Sequence, residues 1–232
     1  STRFPGKPLI DIAGKSLIQR VYLQTQKSNA HHVVVATDDE RIYNHVRDFG
    51  GDVVITLESH PTGTDRCVEA FTHYSNQHFD LVLNIQGDEP FVDPSQINTL
   101  IDIFDDPTAE IGTLAKKIED PSEIFDPKEV KIVHNAKHQV LYMSRSPIPH
   151  IHRLPQNEWH KHFDFYKHIG VYGFKADIIF ELGQMKQTEL EKLESLEQLR
   201  WLDKFVMKLG FTNVDTLSID TPDDLKEIHK YL

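Results

Sequence analysis

Apolar positions in this chain follow two periods, and the switches between them mark its elements. Residues 32–36, 52–56 and 81–85 are short runs rich in Val, Ile and Leu, with the near-continuous apolar character of buried strands. Between and after them, 39–49, 64–74 and 94–104 repeat apolar residues at three and four, as amphipathic helices do. A turn over residues 9–18 leads into a first helix that runs to about Gln26. This alternation predicts an α/β fold with strands covered on both faces. Beyond Pro107 the rhythm changes: 111–118, 130–134, 140–144 and 169–174 all read as extended, without full helices between most of them. The prediction is a mixed, mostly parallel sheet flanked by helices, with a small antiparallel extension. Helices return over 176–182, 195–209 and 222–231, and residues 147–165, rich in His and Pro, read as a loop or arm.

The length of 232 residues allows a single domain over 1–232 with a sizeable core. Composition then narrows the partners. A net charge of −11 argues against general binding to nucleic acid or to an anionic membrane surface, so a phosphorylated ligand must be met by a few local cations. No apolar run approaches the ~20 residues of a membrane span. The lone cysteine, Cys67, has no second cysteine to bridge, which suits a cytoplasmic protein, and it reads as a buried helix residue. His150, His152, His160 and His162 lack diagnostic zinc spacing and have no cysteine beside them, so no structural metal is expected there.

Candidate chemistry gathers in the opening segment Ser1 to Leu9 and after the strands. Pro5 and Pro8 stiffen the opening loop, Gly6 lets its backbone approach a ligand, and Arg3 and Lys7 are placed to meet polyphosphate oxygens. Ligands of open α/β sheets bind beyond the carboxyl ends of strands. There the chain carries Thr37-Asp38-Asp39, then Glu58 to Arg66, then Gln86-Gly87-Asp88-Glu89-Pro90. Asp88 at a strand end suits a divalent cation, though Gly-Asp-Glu-Pro is also an ordinary turn. Asp220 reads either as a second metal carboxylate or as part of a helix cap ahead of Pro222.

The segments STRFPGKPL, HPTGTDRCVEA, NIQGDEPFV, LYMSRSPIP, KHIGVYGF, KLESLEQLRWL and IDTPDDL occur in this order, and together the chain resembles the 3-deoxy-manno-octulosonate cytidylyltransferases over nearly its whole length. The sialic-acid-activating relatives carry a different opening loop. The resemblance implies a nucleotidyltransferase-like fold of the GT-A type, and cytidylyl transfer from CTP to 3-deoxy-D-manno-octulosonate (KDO) for lipopolysaccharide biosynthesis. It implies Mg2+ on Asp88 and Asp220, the triphosphate on Arg3 and Lys7, and cytosine at Thr64 and Arg66. For the sugar it implies Gln86, Arg145, His168, Tyr172, Glu197 and Gln198, of which His168 and Tyr172, four residues apart on a strand, face one side. It also implies a homodimer in which the arm takes part, with Trp159 and Phe163 as apolar anchors. Relatives carry an apolar strand ending in Pro-Ala-Arg ahead of the opening loop, and a longer connection before the final Asp-Thr-Pro than residues 212–218 provide. Another sugar nucleotidyltransferase, such as a sialate-activating one, and a non-catalytic nucleotide-binding protein are the alternatives.

Overall fold

Helices start in this chain where a short polar side chain stands ahead of an apolar period. Ser16, Asp39 and Thr62 each accept a backbone N–H of the first turn, and so open α1 (Leu17–Thr25), α2 (Glu40–Asp48) and α3 (Gly63–Thr72). Cys67 lies within α3 as predicted, half-buried rather than fully buried. The computed structural model describes residues 6–215, 218, 219, 224, 225 and 228. Arg3, Asp220 and most of the predicted helix over 222–231 lie outside the described residues. Among the described residues no helix is long and apolar enough to cross a membrane.

Two units divide the chain, one formed by 1–98 with 215–232 and the other by 99–214. In the first, β1 (Asp11–Ile12) and β2 (Lys15–Ser16) form a small antiparallel pair, while β3 (Val35–Thr37) and β4 (Val53–Ile55) pair in parallel on either side of α2 in sequence. β5 (Leu81–Asn84) follows α3. Helix α1 serves two apolar clusters at once. Ile18 and Tyr22 pack with Val35, Ile42, Val46 and Val53, whereas Leu17 and Val21 pack with Ile12, Ile219 and Ile228. The four α1 residues form two i, i+4 pairs on adjacent stripes, and burying each is worth about 1.5–3 kcal/mol.

The division between units falls within α4 (Pro94–Asp102). The second unit contains β6 (Ile111–Lys117), β7 (Lys131–His134), β8 (Val140–Ser144), β9 (Tyr166–Lys175), α5 (Ile179–Leu182), α6 (Glu189–Glu194) and β10 (Met207–Thr212). Its strands run in the order β10-β6-β9-β7-β8. The β10–β6 pair is parallel; β6–β9, β9–β7 and β7–β8 are antiparallel. The sheet is therefore mixed, as the sequence pattern predicts.

Two predictions for this unit need correcting. Residues 195–209 are not a helix: Ser195 takes φ 53° and ends α6, a 3-10 turn covers Glu197–Arg200, and the chain becomes extended at Met207. At Gly210 a Cβ would lie 2.8 Å from Leu114 and 2.9 Å from Thr99, so β10 packs closely against β6 and α4 there. The arm is also more ordered than its lack of period suggests. It contains a 3-10 turn, Gln156–Lys161, and Trp159 is buried with Ile118, Ile124 and Phe165 in a cluster of this unit. Trp159 is therefore buried within its own chain, whereas Phe163 stays exposed.

Candidate active site

In the first unit the site begins with Gly6, whose φ of 74° turns the chain into the 3-10 segment Lys7–Leu9. The turn buries Lys7 and sets its ammonium 2.8 Å from Asp88 Oδ2, joining the opening loop to the segment that follows β5. This is a charge-assisted bond between the expected phosphate cation and the expected metal carboxylate. It engages only one carboxylate oxygen. The N–H of Ile219, the residue before Asp220, donates to the Asp88 carbonyl at 3.0 Å.

The first turn of α3 collects the other candidates of this unit. Arg66 donates to Thr56 Oγ1 at 2.6 Å and pairs with Asp38 Oδ2 at 3.3 Å, so it ties the segments after β3 and β4 to the helix start. Thr64 is buried, and its hydroxyl accepts from Asn84 Nδ2 at 3.3 Å. A Cβ on Gly63 would lie 3.8 Å from both Asn84 Nδ2 and Gln86 Oε1, which places the Gln86 amide against this turn. The loop ahead of α3 is held from behind by Glu69, which accepts from the Leu57 N–H at 2.8 Å and bonds the His60 ring. The Leu57 N–H is the main cause that holds the Glu69 carboxyl below its ordinary range. Among the described residues no three His, Cys, Asp or Glu side chains group as a metal site.

In the second unit, β9 brings His168 and Tyr172 together, though not by plain alternation. Four residues of regular strand would separate them by about 13 Å. Here Tyr172 pairs with Thr113 and Ile169 with Leu114, so Gly170 and Val171 bulge out and the two rings meet, tilted by 37°, with centroids 5.3 Å apart. Thr113, fully buried, fills the bulge. Its hydroxyl donates to the Val171 carbonyl at 2.8 Å and lies 2.9 Å from His168 Nε2. Burial lowers the His168 pKa to about 4, so the ring is neutral at physiological pH. Behind Tyr172, the buried Trp201 packs edge-on at 5.1 Å.

Arg145 follows β8 and is held by main-chain oxygens. Its Nε donates to the Glu194 carbonyl at 2.8 Å, Nη1 to the Pro127 carbonyl at 2.9 Å and Nη2 to the Ser195 carbonyl at 3.4 Å. Among the described residues its guanidinium partners are all carbonyls, so its charge is left uncompensated by a carboxylate, and two of its five N–H groups remain for a ligand. The Glu194 carboxylate instead holds the end of β8: it accepts from the Ser144 hydroxyl at 2.6 Å and the Arg145 backbone N–H at 2.9 Å. Nearby Lys131 is fully buried with its ammonium on the carbonyls of Asp126 and Glu129, at 2.6 and 2.5 Å, and burial pushes its pKa down.

The 3-10 turn that carries Glu197 and Gln198 is anchored by Arg200. Arg200 is buried against Glu191 of α6, with Nε to Oε2 at 2.8 Å and Nη2 to Oε1 at 2.5 Å. Gln198 is also buried, and its amide donates to the Met143 sulfur at 3.4 Å; Glu197 is half-buried. Helix α6 thus turns two of its three carboxylates, Glu191 and Glu194, inward, one to each candidate sugar-binding segment, and leaves Glu189 and Leu193 exposed.

Sequence reasoning missed Asn84, Thr113, Glu191 and Glu194. Asn84 and Thr113 carried a signal, as polar residues inside otherwise apolar strands; the two glutamates looked like ordinary helix acids.

A family model described as Cytidylyltransferase matches residues 1–208. Curated relatives bearing the name 3-deoxy-manno-octulosonate cytidylyltransferase include one from Cytophaga hutchinsonii, 47% identical over 98% of this chain and 92% of its own length. Another, from Parabacteroides distasonis, is 46% identical over 100% of this chain and 94% of its own. Among solved structures, CMP:2-keto-3-deoxy-manno-octonic acid synthetase complexed with CTP matches with a TM-score of 0.90 at 35% identity, over 99% of this chain and 92% of that one. The inositol-1-phosphate CTP transferase from T. maritima shares the fold alone, with a TM-score of 0.63 at 16% identity over 97% and 85%.

Proposed function

The chain belongs to the 3-deoxy-manno-octulosonate cytidylyltransferase family, and from that premise we propose how its own residues perform the transfer from CTP to KDO that gives CMP-KDO and pyrophosphate. The anomeric oxygen of the sugar attacks the α-phosphorus in line. The bond from that phosphorus to the bridging oxygen breaks, pyrophosphate leaves, and the hydroxyl proton passes to solvent. No protein nucleophile is required, so positioning and charge neutralisation carry the acceleration.

Lys7, with Arg3, meets the triphosphate; Thr64 and Arg66, at the turn opened by Gly63, read cytosine. Asp88 offers a hard oxygen donor of which Lys7 engages one atom only, which fits Mg2+. Asp88 and Asp220 would hold that ion, which when bound supplies neutralisation of phosphate charge. Arg145 takes the sugar carboxylate, and Gln86, His168, Tyr172, Glu197 and Gln198 serve its hydroxyls. CMP-KDO then feeds lipopolysaccharide biosynthesis. On this reading the enzyme works in the cytoplasm, whose reducing poise suits a chain with a single cysteine, and pairs with a second copy, which light scattering of the purified protein tests.

The observation that carries the acid-sugar reading is the Arg145 guanidinium, oriented by three carbonyls and neutralised by none of the described carboxylates. The test compares pyrophosphate release from CTP with KDO, a sialic acid and sugar 1-phosphates as acceptors. Arg145→Ala is expected to weaken KDO use by roughly 2–4 kcal/mol in kcat/KM and to leave the KM for CTP unchanged. Equal loss for both substrates would remove Arg145 from the sugar.

A further inference from the structure

The bulge in β9 fixes a proton. Thr113 Oγ1 has one hydrogen and three neighbours: the Val171 carbonyl at 2.8 Å, the Ile169 carbonyl at 3.4 Å and His168 Nε2 at 2.9 Å. Carbonyl oxygens only accept, so the hydroxyl hydrogen is committed to the bulge and principally to Val171. At 2.9 Å the remaining contact is a hydrogen bond only if His168 Nε2 carries the proton and donates it to Thr113. In a neutral ring the other nitrogen, Nδ1, is then a bare acceptor.

We propose that Thr113 is a positioning residue for the acid sugar: it locks His168 as the Nε2–H tautomer, so that the ring presents Nδ1 as an acceptor to a sugar hydroxyl. The inference rests on the reading above that His168 contacts the sugar. The same hydroxyl satisfies the carbonyl freed by the bulge, so the feature that brings His168 beside Tyr172 also sets its polarity. The ring has little freedom to escape the lock, because the His168 backbone N–H is bonded to the Val130 carbonyl at 2.8 Å and the ring lies against Tyr172 with centroids 5.3 Å apart. A chemical division of labour follows. An ionised carboxylate has no proton to give and would meet the Nδ1 lone pair with repulsion, whereas a hydroxyl donates to it. The sugar carboxylate is thereby turned away from His168, and Arg145, a guanidinium of the same unit held only by carbonyls, is a group suited to receive it.

Imidazole nitrogen NMR of the whole protein tests the lock directly. The chain has 14 histidines, and the His168 signals are identified by their loss in His168→Gln. The expected wild-type spectrum shows His168 protonated at Nε2 with Nδ1 bare. In Thr113→Val, which keeps the shape and removes the acceptor, the Nε2–H population falls; in Thr113→Ser it returns. In kinetics, Thr113→Val raises the KM for KDO about tenfold with the KM for CTP within about twofold, and Thr113→Ser restores the KDO value to within about threefold. A wild-type spectrum with the proton on Nδ1 overturns the proposal even if Thr113→Val fails to fold. So does a Thr113→Val enzyme that has lost the tautomer yet keeps its KM for KDO. If instead His168→Gln leaves the KM for KDO unchanged while the tautomer is as expected, the contact between His168 and the sugar is what fails.

Discussion

Single residues here often have roles set by where a partner's proton or charge is already spent. Main-chain oxygens orient Arg145 without cancelling its charge, and Lys7 takes one oxygen of Asp88 and leaves the other. His168 adds a dependence on pH. Burial lowers its pKa from the ordinary 6.5 to about 4, so between those values the unfolded chain binds more protons than the folded one, and stability rises with pH through that window. The contribution is full above about pH 6.5 and is lost progressively towards pH 4. The melting temperature is therefore expected to fall between pH 7 and pH 5, and part of that fall should disappear in His168→Gln; an identical pH profile in the variant would contradict it. Lys7, Asp88 and Arg145 were legible in the sequence through the segments that carry them. Their actual partners were not, because Lys7 and Asp88 are 81 positions apart and a carbonyl leaves no mark in a sequence.

At the level of elements, α6 is the least legible: no helix was predicted over Glu189–Glu194, and the predicted helix over 195–209 begins where α6 ends, because an apolar period in Leu196, Leu199 and Leu202 hid a left-handed turn at Ser195 and a strand at Met207. Its Glu191 and Glu194 hold Arg200 and the Ser144–Arg145 backbone, so both candidate sugar segments take their position from one short helix. Arg200→Met strands the buried Glu191 carboxylate, and urea unfolding should show a loss of about 3–5 kcal/mol. Replacing Glu191 by Leu as well removes the stranded charge and should recover most of it; no recovery would mean that Arg200 contributes through its bond to the Met185 carbonyl instead. The β9 bulge makes a second element-scale prediction. Its two extra residues are an even number, so deleting Gly170 and Val171 together keeps every later side chain on its face, whereas deleting one alone inverts them all. The double deletion should yield folded protein with impaired KDO use, and the single deletion should be the more destabilised in thermal melts.

Across the whole molecule, the net charge of −11 leaves the proposed reading to rely on a few placed cations, Lys7 and Arg145 among them, rather than on a basic face. The order of α1 to β5 was legible because each strand alternates with a capped helix close by in sequence. The second unit was legible in its strands and not in their arrangement, since β6 lies between β9 and β10, pairings that join residues 49 to 96 positions apart and that local periodicity does not record. The division of the chain has a consequence for synthesis. Ile12, Leu17 and Val21 wait for Ile219 and Ile228 before their cluster is complete, whereas every strand from β6 to β10 leaves the ribosome before residue 215. The half begun first is therefore finished last. A released chain truncated at 214 should show protected amides in β6 and β9 while those of α1 still exchange, because residues beyond 214 complete the core of α1.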